Sequence, residues 1–373
     1  TPSPTPTPTP SVSPTPVPSP TPIPSPGTLL LRTPIMSGGS VVPPTSGITY
    51  SYPFGNLLAW NATENNQRAV IATLGTASEF YVNLGSSPGT GKSWAFTLVK
   101  NGVDTGISCT VTDSNQSCSE TVTTVNLSPG DTVSIKADPV GVPTTLPQIR
   151  FGWVFQSILD NESVLLGNNR TTGLSPTAVQ YGVFSGASTP NATLNLRDSL
   201  IPTSGSASDL YVELSTAPGT GDSFQFRLLK NGLPTSLLCT ISDAATTCND
   251  TVDTIAFAVG DTVAMEFTPS GPSPTSPLAR WSMKWVSDDV GRSILSYASG
   301  NNLNTGGSVR FAPPGGTSNT WQSIETNAQV LVPGTFWLRD FTAELNSAPG
   351  AGASYTFNTR VNGTGTGLTT VIS

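Results

Sequence analysis

The sequence predicts an all-β protein: tandem antiparallel β-sandwich or jelly-roll domains of about 130 residues each, set behind a Pro/Thr-rich linker. Three observations carry that prediction. A block of strand and turn residues recurs about 130 positions further on. Asn-Gly dipeptides, whose type I′ turn needs positive φ at both central residues, sit between alternating apolar runs. No stretch shows an apolar period of 3.6.

Residues 1–27 hold 12 of the 34 prolines and nothing that can build a core. Alternating proline removes ladder donors and fixes φ, so this segment is expected to be an extended polyproline II spacer of about 3.1 Å per residue. Its Thr and Ser side chains permit O-glycosylation. After Gly27 the repeat begins. Tyr81-Val82, Pro88-Gly89-Thr90-Gly91, Lys100-Asn101-Gly102, Cys109, Cys118 and Gly130-Asp131-Thr132-Val133 return as Tyr211-Val212, Pro218-Gly219-Thr220-Gly221, Lys230-Asn231-Gly232, Cys239, Cys248 and Gly260-Asp261-Thr262-Val263. A third copy shows Pro349-Gly350-Ala351-Gly352 and Asn362-Gly363, with Thr370 at the cysteine position. The period divides the chain into repeat one (28–157), repeat two (158–287) and an incomplete repeat three (288–373). Two expectations follow for repeat three: the sequence is a piece of a longer one, or a neighbouring subunit supplies the remaining strands, because an unfinished sandwich exposes sheet edges.

Within a repeat, Trp94-Ala95-Phe96-Thr97-Leu98-Val99 leads into the Asn101-Gly102 hairpin, and a strand returns through Ile107 to Val111. Cys109 and Cys118 lie symmetrically about Asp113-Ser114, so they are expected to face each other across a second tight hairpin, as are Cys239 and Cys248. The Gly130-Asp131 turn precedes an alternating strand, and the repeat closes on Arg150-Phe151-Gly152-Trp153-Val154-Phe155, echoed by Arg280-Trp281-Ser282-Met283-Lys284-Trp285.

Composition narrows the function. With 16 Lys plus Arg against 23 Asp plus Glu, the net charge is −7, so nothing favours phosphate backbones or an anionic membrane surface. No apolar run reaches the roughly 20 residues of a membrane span. The chain has no histidine, which excludes Ser-His-Asp and Cys-His catalysis. Its four cysteines fall in two equally spaced pairs, which favours disulfides and an extracellular or surface location over a metal site. The sequence opens on Thr1 rather than Met, which says nothing about a signal peptide.

Motifs add little chemistry. Gly89-Thr90-Gly91-Lys92-Ser93 has the tail of a phosphate loop, but Ser86 stands where the leading glycine belongs, and Asp222 and Ala353 replace the lysine in the other repeats. Asp131 and Asp261 are read as turn residues that accept from backbone N–H groups. No cofactor is expected. Calcium is the one open option, through Asp250, Asp253, Asp288 and Asp289, which lack EF-hand spacing. Trp60 and Trp321 occupy similar positions in repeats one and three, where repeat two has Pro190, and are candidate glycan-stacking residues as well as ordinary packing residues.

The run Leu98-Val99-Lys100-Asn101-Gly102, then Leu127-Ser128-Pro129-Gly130-Asp131-Thr132-Val133, then the aromatic last strand, resembles the jelly-roll superfamily of complement globular heads and tumour necrosis factor. It is also similar to tandem modules of uncharacterised secreted bacterial and phage structural proteins. The resemblance implies jelly-roll domains that assemble as trimers, and hence three repeats on one chain packing as a pseudo-trimer. The cysteine pair is not typical of complement heads. Two functions are expected from this reading. The first is a non-enzymatic structural or adhesive protein of a cell surface, virion surface or fibre, with self-association as its partner. The second is a set of carbohydrate-binding accessory modules of a larger secreted hydrolase, with a surface glycan as its ligand.

Overall fold

The protein is described as a computed structural model covering residues 31–373 apart from 39–41, 57–59, 146, 160, 300–301, 304 and 319–320. The predicted linker, 1–27, lies outside the described residues. The described chain is all-β, with three single-turn 3-10 segments at Glu64–Asn66, Leu194–Leu196 and Glu325–Asn327 and no α-helix.

Repeat one contains β1 (Arg32–Gly38), β2 (Thr49–Ser51), β3 (Gly55–Asn56), β4 (Ala69–Val70), β5 (Gly75–Leu84), β6 (Gly89–Lys100), β7 (Val103–Asp113), β8 (Ser117–Glu120), β9 (Val125–Leu127), β10 (Thr132–Val140) and β11 (Ile149–Ser157). One sheet has the order β3-β1-β11-β5-β8, with β9 also on β5; the other has β2-β10-β6-β7, with β4 also on β10. Repeat two contains β12 (Glu162–Asn168), β13 (Gln180–Val183), β14 (Gly186–Ala187), β15 (Ser199–Leu200), β16 (Gly205–Leu214), β17 (Gly219–Lys230), β18 (Leu233–Asp243), β19 (Thr247–Phe257), β20 (Thr262–Ser270) and β21 (Ala279–Ser287). Its sheets are β14-β12-β21-β16-β19 and β13-β20-β17-β18, with β15 also on β20. Beyond it lie β22 (Tyr297–Ser299), β23 (Gly316–Ser318), β24 (Tyr355–Val361) and β25 (Thr364–Ile372).

Alternation explains the two cores. In repeat one, Phe80, Val82, Phe151, Trp153 and Phe155 from one sheet meet Trp94, Phe96, Leu98, Val133 and Ile135 from the other in a single buried cluster. Repeat two repeats the arrangement with Leu210, Val212, Trp281, Met283 and Trp285 against Phe224, Phe226, Leu228, Val263 and Met265. Buried indoles also need an acceptor, and Trp153 Nε1 donates to the Pro53 carbonyl at 2.9 Å while Trp281 Nε1 donates to that of Phe184 at 3.2 Å.

The Asn-Gly hairpins form as the turn chemistry requires. φ is 52° at Asn101 and 77° at Gly102, 51° and 75° at Asn231 and Gly232, and 51° and 80° at Asn362 and Gly363. The aspartate of the Gly-Asp turn holds it: Asp131 accepts from Ser128 N–H at 2.7 Å and from Asn101 Nδ2 at 2.7 Å, and Lys100 Nζ sits 2.9 Å away.

The cysteine geometry corrects the expected hairpin. Cys109–Cys118 and Cys239–Cys248 are disulfides with Cα separations of 5.7 and 5.8 Å. However, β7 pairs with β6 while β8 pairs with β5, and β18 pairs with β17 while β19 pairs with β16. The chain therefore leaves one sheet at Asp113 and enters the other at Ser117, so each disulfide ties the edges of two facing sheets rather than two arms of a hairpin. Cys109 and Cys239 are buried in their cores. A short arch with no ladder of its own is held by the bond that a hairpin would not need.

Candidate interaction site at the junctions between repeats

Among the described residues three of the five buried charged side chains, Glu162, Glu213 and Arg280, lie where repeats meet, while Arg197 and Asp222 are satisfied within repeat two. In repeat two, Glu213 on β16 and Arg280 on β21 face each other across a register pair, and Arg280 Nε donates to Glu213 Oε2 at 2.8 Å. Arg68 of repeat one donates to the other oxygen, Oε1. Arg280 is 1% exposed and also clasps the 3-10 turn of repeat one, donating to the Asn65 carbonyl and, at 2.7 Å, to Asn65 Oδ1. Asn65 Nδ2 answers with a bond to the Ser215 carbonyl at 3.0 Å. Glu213 thus has a guanidinium on each oxygen, which a buried carboxylate requires.

A second cluster flanks it. Thr73 Oγ1 of repeat one donates to Glu162 Oε2 of repeat two at 3.0 Å, and Lys284 Nζ sits 2.5 Å from Asp209 and 3.6 Å from Glu162. Burial works against the Lys284 charge, but Asp209 and Glu162 outweigh it and hold its pKa above the usual lysine range. Val164 and Leu166 of repeat two bury into the core of repeat one, so the two sandwiches share apolar contact beneath the ion pairs.

The same contact recurs between repeats three and one. By the repeat register Arg150 matches Arg280, and Thr326 matches Asn65. Arg150 Nη2 donates to the Thr326 carbonyl at 2.9 Å, and Gln148 Nε2 donates to Asn327 Oδ1 at 2.6 Å. Gly38 bridges Val330 antiparallel, and a Cβ on Gly152 would stand 2.6 Å from the Leu331 carbonyl, so the segment after this 3-10 turn lies flat on the first sheet. Arg32, paired with Glu79, lies over the Phe336 ring at 5.9 Å.

Three short strands at matching positions, β3, β14 and β23, run parallel to β1, β12 and β22 and touch one another pairwise. A cleft of about 70 Å³ opens beside them, lined by Ile35 and Phe54, by Leu166, and by Ile294, Pro314 and Val330, residues of all three repeats. It is apolar and far smaller than the roughly 300 Å³ of an ordinary small-molecule site.

The sequence-derived candidates are distributed differently. Trp60 is half-buried against the first core, its ring 6.4 Å from that of Phe96. Trp321 is half-buried too, donating from Nε1 to Ser299 Oγ at 2.9 Å and packing edge-on to Tyr297. Trp337, at 93% exposure, went unnoticed in the sequence. Asp250 is occupied as a turn acceptor for the N–H groups of Leu238, Val252 and Asp253, and Asp289 pairs with Arg292. Among the described residues no three acids or cysteines cluster as metal ligands. Asp131 and Asp261 hold the Gly-Asp turns: the Asn231 amide, the Ala258 N–H and Lys230 bring Asp261 down to about 2, and at Asp131 the Asn101 amide, Lys100 and the Ser128 N–H overcome an opposing burial effect. The junction arginines were not singled out from sequence, although both stand second in the repeated aromatic strand.

No protein-family model matches the chain, and no curated protein does. Among solved structures, one described as a Paenibacillus xanthan lyase aligns over 73% of this chain at 14% identity with a TM-score of 0.19. The chain spans 27% of that structure's length, and at this score the likeness carries no argument.

Proposed function

We propose that this chain is a non-enzymatic extracellular repeat protein, structural or adhesive, whose sandwiches form the rigid head of a surface or fibre component. The observation that carries the reading is the use made of buried charge. Glu213, Arg280 and Glu162, which in an enzyme would be candidate reactive groups, are saturated by partners that join one repeat to the next. The two disulfides fit an oxidising, extracellular setting. The resemblance to trimeric jelly-roll heads, together with the meeting of β3, β14 and β23, supports a single-chain pseudo-trimer. Several surfaces held on one rigid body would add avidity without one tight site.

Small-angle scattering and electron microscopy of the purified chain test this reading. A compact three-lobed particle that self-assembles or coats surfaces supports it; a beads-on-a-string profile overturns the pseudo-trimer. A second reading, carbohydrate-binding modules of a larger hydrolase, rests on the part-exposed Trp60 and Trp321. Binding to a glycan array that Trp60→Ala or Trp321→Ala abolishes would favour that reading.

A further inference from the structure

An acid in the left-handed backbone region recurs at one position of every repeat: Glu79 (φ 53°), Asp209 (φ 52°) and Asp340 (φ 57°). In repeat two the reason is a bulge in β16. Ala207 and Leu210 both lie in the core, so the two residues between them, Ser208 and Asp209, share the outer face. The ladder to β21 is interrupted there, between Ser208 and Tyr211.

What each acid faces differs. Glu79 pairs with Arg32, and Asp340 pairs with Arg292. In repeat two Glu162 stands at the position of Arg32, and the cation has moved one strand inward, to Lys284 at the position of Val154. The strand order β12-β21-β16 therefore sets an amine between two carboxylates. Lys284 Nζ lies 2.5 Å from Asp209 Oδ2 and 3.6 Å from Glu162 Oε1, and the three side chains are only 24%, 19% and 10% exposed. Among the described residues it is the one lysine within 4 Å of two carboxylates. Thr73 donates to the other oxygen of Glu162 at 3.0 Å, which leaves Oε1 turned toward the amine.

The exchange of cation matters chemically. A guanidinium stays protonated and delocalised, whereas a lysine amine held against a carboxyl group in a partly desolvated site can act as a nucleophile. We infer that Lys284 and Asp209 join in an intramolecular amide bond, with Glu162 as the proton carrier. Nζ first gives a proton to the Asp209 carboxylate, which makes a neutral amine and a carboxylic acid. The nitrogen lone pair then attacks Cγ, the C–N bond forms and the carbonyl π pair moves onto oxygen. Glu162 Oε1 takes a second proton from nitrogen and delivers it to the Cγ hydroxyl, which leaves as water while the carbonyl re-forms. One C–N bond is made, one C–O bond is broken and nothing is oxidised. The two carboxylates favour the charged amine, so the neutral pair is a minor state and the bond accumulates slowly after folding. The cross-link ties β16 to β21 where the bulge interrupts their ladder. It goes beyond the adhesive reading and does not depend on it.

Intact mass of the full chain, taken after a week of folded incubation at neutral pH and then disulfide reduction, tests the inference. The parent should be lighter than its sequence by one water, and peptide mapping should find the segment holding Lys284 linked to the one holding Asp209. A chain kept unfolded in urea should retain its full mass, because only folding brings the groups together. Lys284→Arg keeps a cation between the acids and should keep the fold, as its melting checks, while losing the mass change. Glu162→Gln should form the bond roughly a hundredfold more slowly. Full mass in the folded parent would reduce the cluster to an ordinary ion pair and overturn the inference. So would a water loss that persists in Lys284→Arg, a link from Lys284 to Glu162 instead, or an unchanged rate in Glu162→Gln.

Discussion

The junction between repeats one and two and the junction between repeats two and three use the same register positions with opposite chemistry. At the first, Arg68 meets Glu213, and Arg280 completes the pair from below. At the second, Asp198 feels the charge of Glu344. At the remaining one, between repeats three and one, the matching residues are Gln329 and Asn83, both neutral. One backbone arrangement therefore carries three different side-chain solutions. Duplication copied the surface, and later substitution made each junction distinguishable from the others, as charge pairing does when it sets which partners meet.

The largest expected effect breaks the first junction. Arg280→Ala leaves Glu213 with a single guanidinium and strips two bonds from the Asn65 turn, in a site where both partners are nearly inaccessible. Loss of one member of a buried ion pair costs about 3 to 5 kcal/mol. Denaturant unfolding should show that loss, and Arg150→Ala at the matching but less enclosed junction should lose about 1 kcal/mol, the worth of one hydrogen bond. Equal effects of the two variants would mean that the junctions are not graded by burial.

The next effect compares the repeats' arches. Cys109→Ser with Cys118→Ser frees the β7-to-β8 arch and should cost roughly 2 to 3 kcal/mol for a loop of this length, whereas reduction frees the β18-to-β19 arch as well. Because each bond joins two sheets, amide exchange should rise at β8 and at the end of β7 together, while the β6–β7 hairpin keeps its ladder. Unchanged exchange at β8 would mean that pairing with β5 holds the arch without the bond.

Much of this architecture was legible because turn chemistry is local. Asn101-Gly102 specifies its turn through two positive φ values, and the alternation of Trp94, Phe96 and Leu98 marks the inner face without reference to any distant residue. The arch was not legible, since residues nine apart reach bridging distance in a hairpin and in a crossing between sheets alike. Which edge β8 joins is decided by pairing with β5, more than thirty residues earlier. The junction residues were hidden for the same reason. Arg280 reads as the polar start of a strand, and only its approach to Asn65, 215 positions away, makes it a clasp.

The smallest effects sharpen the comparison through pH. Burial, with Glu344 nearby, raises the Asp198 pKa, so the folded state holds this proton more tightly than the unfolded chain. Its stabilising contribution is therefore present below the unfolded value and lost as pH rises through the raised folded value. Asp261 behaves oppositely: held down at about 2, it stabilises above the unfolded carboxylate range and loses that contribution as pH falls toward 2. Asp198→Asn should thus stabilise the chain slightly at neutral pH, by about 1 kcal/mol or less, and have no effect near pH 3. Asp261→Asn should destabilise at neutral pH and converge with the parent in acid. Melting temperatures of both variants across pH 2 to 8 check the signs, and parallel curves for the two would show that the second junction does not carry the repulsion its residues imply.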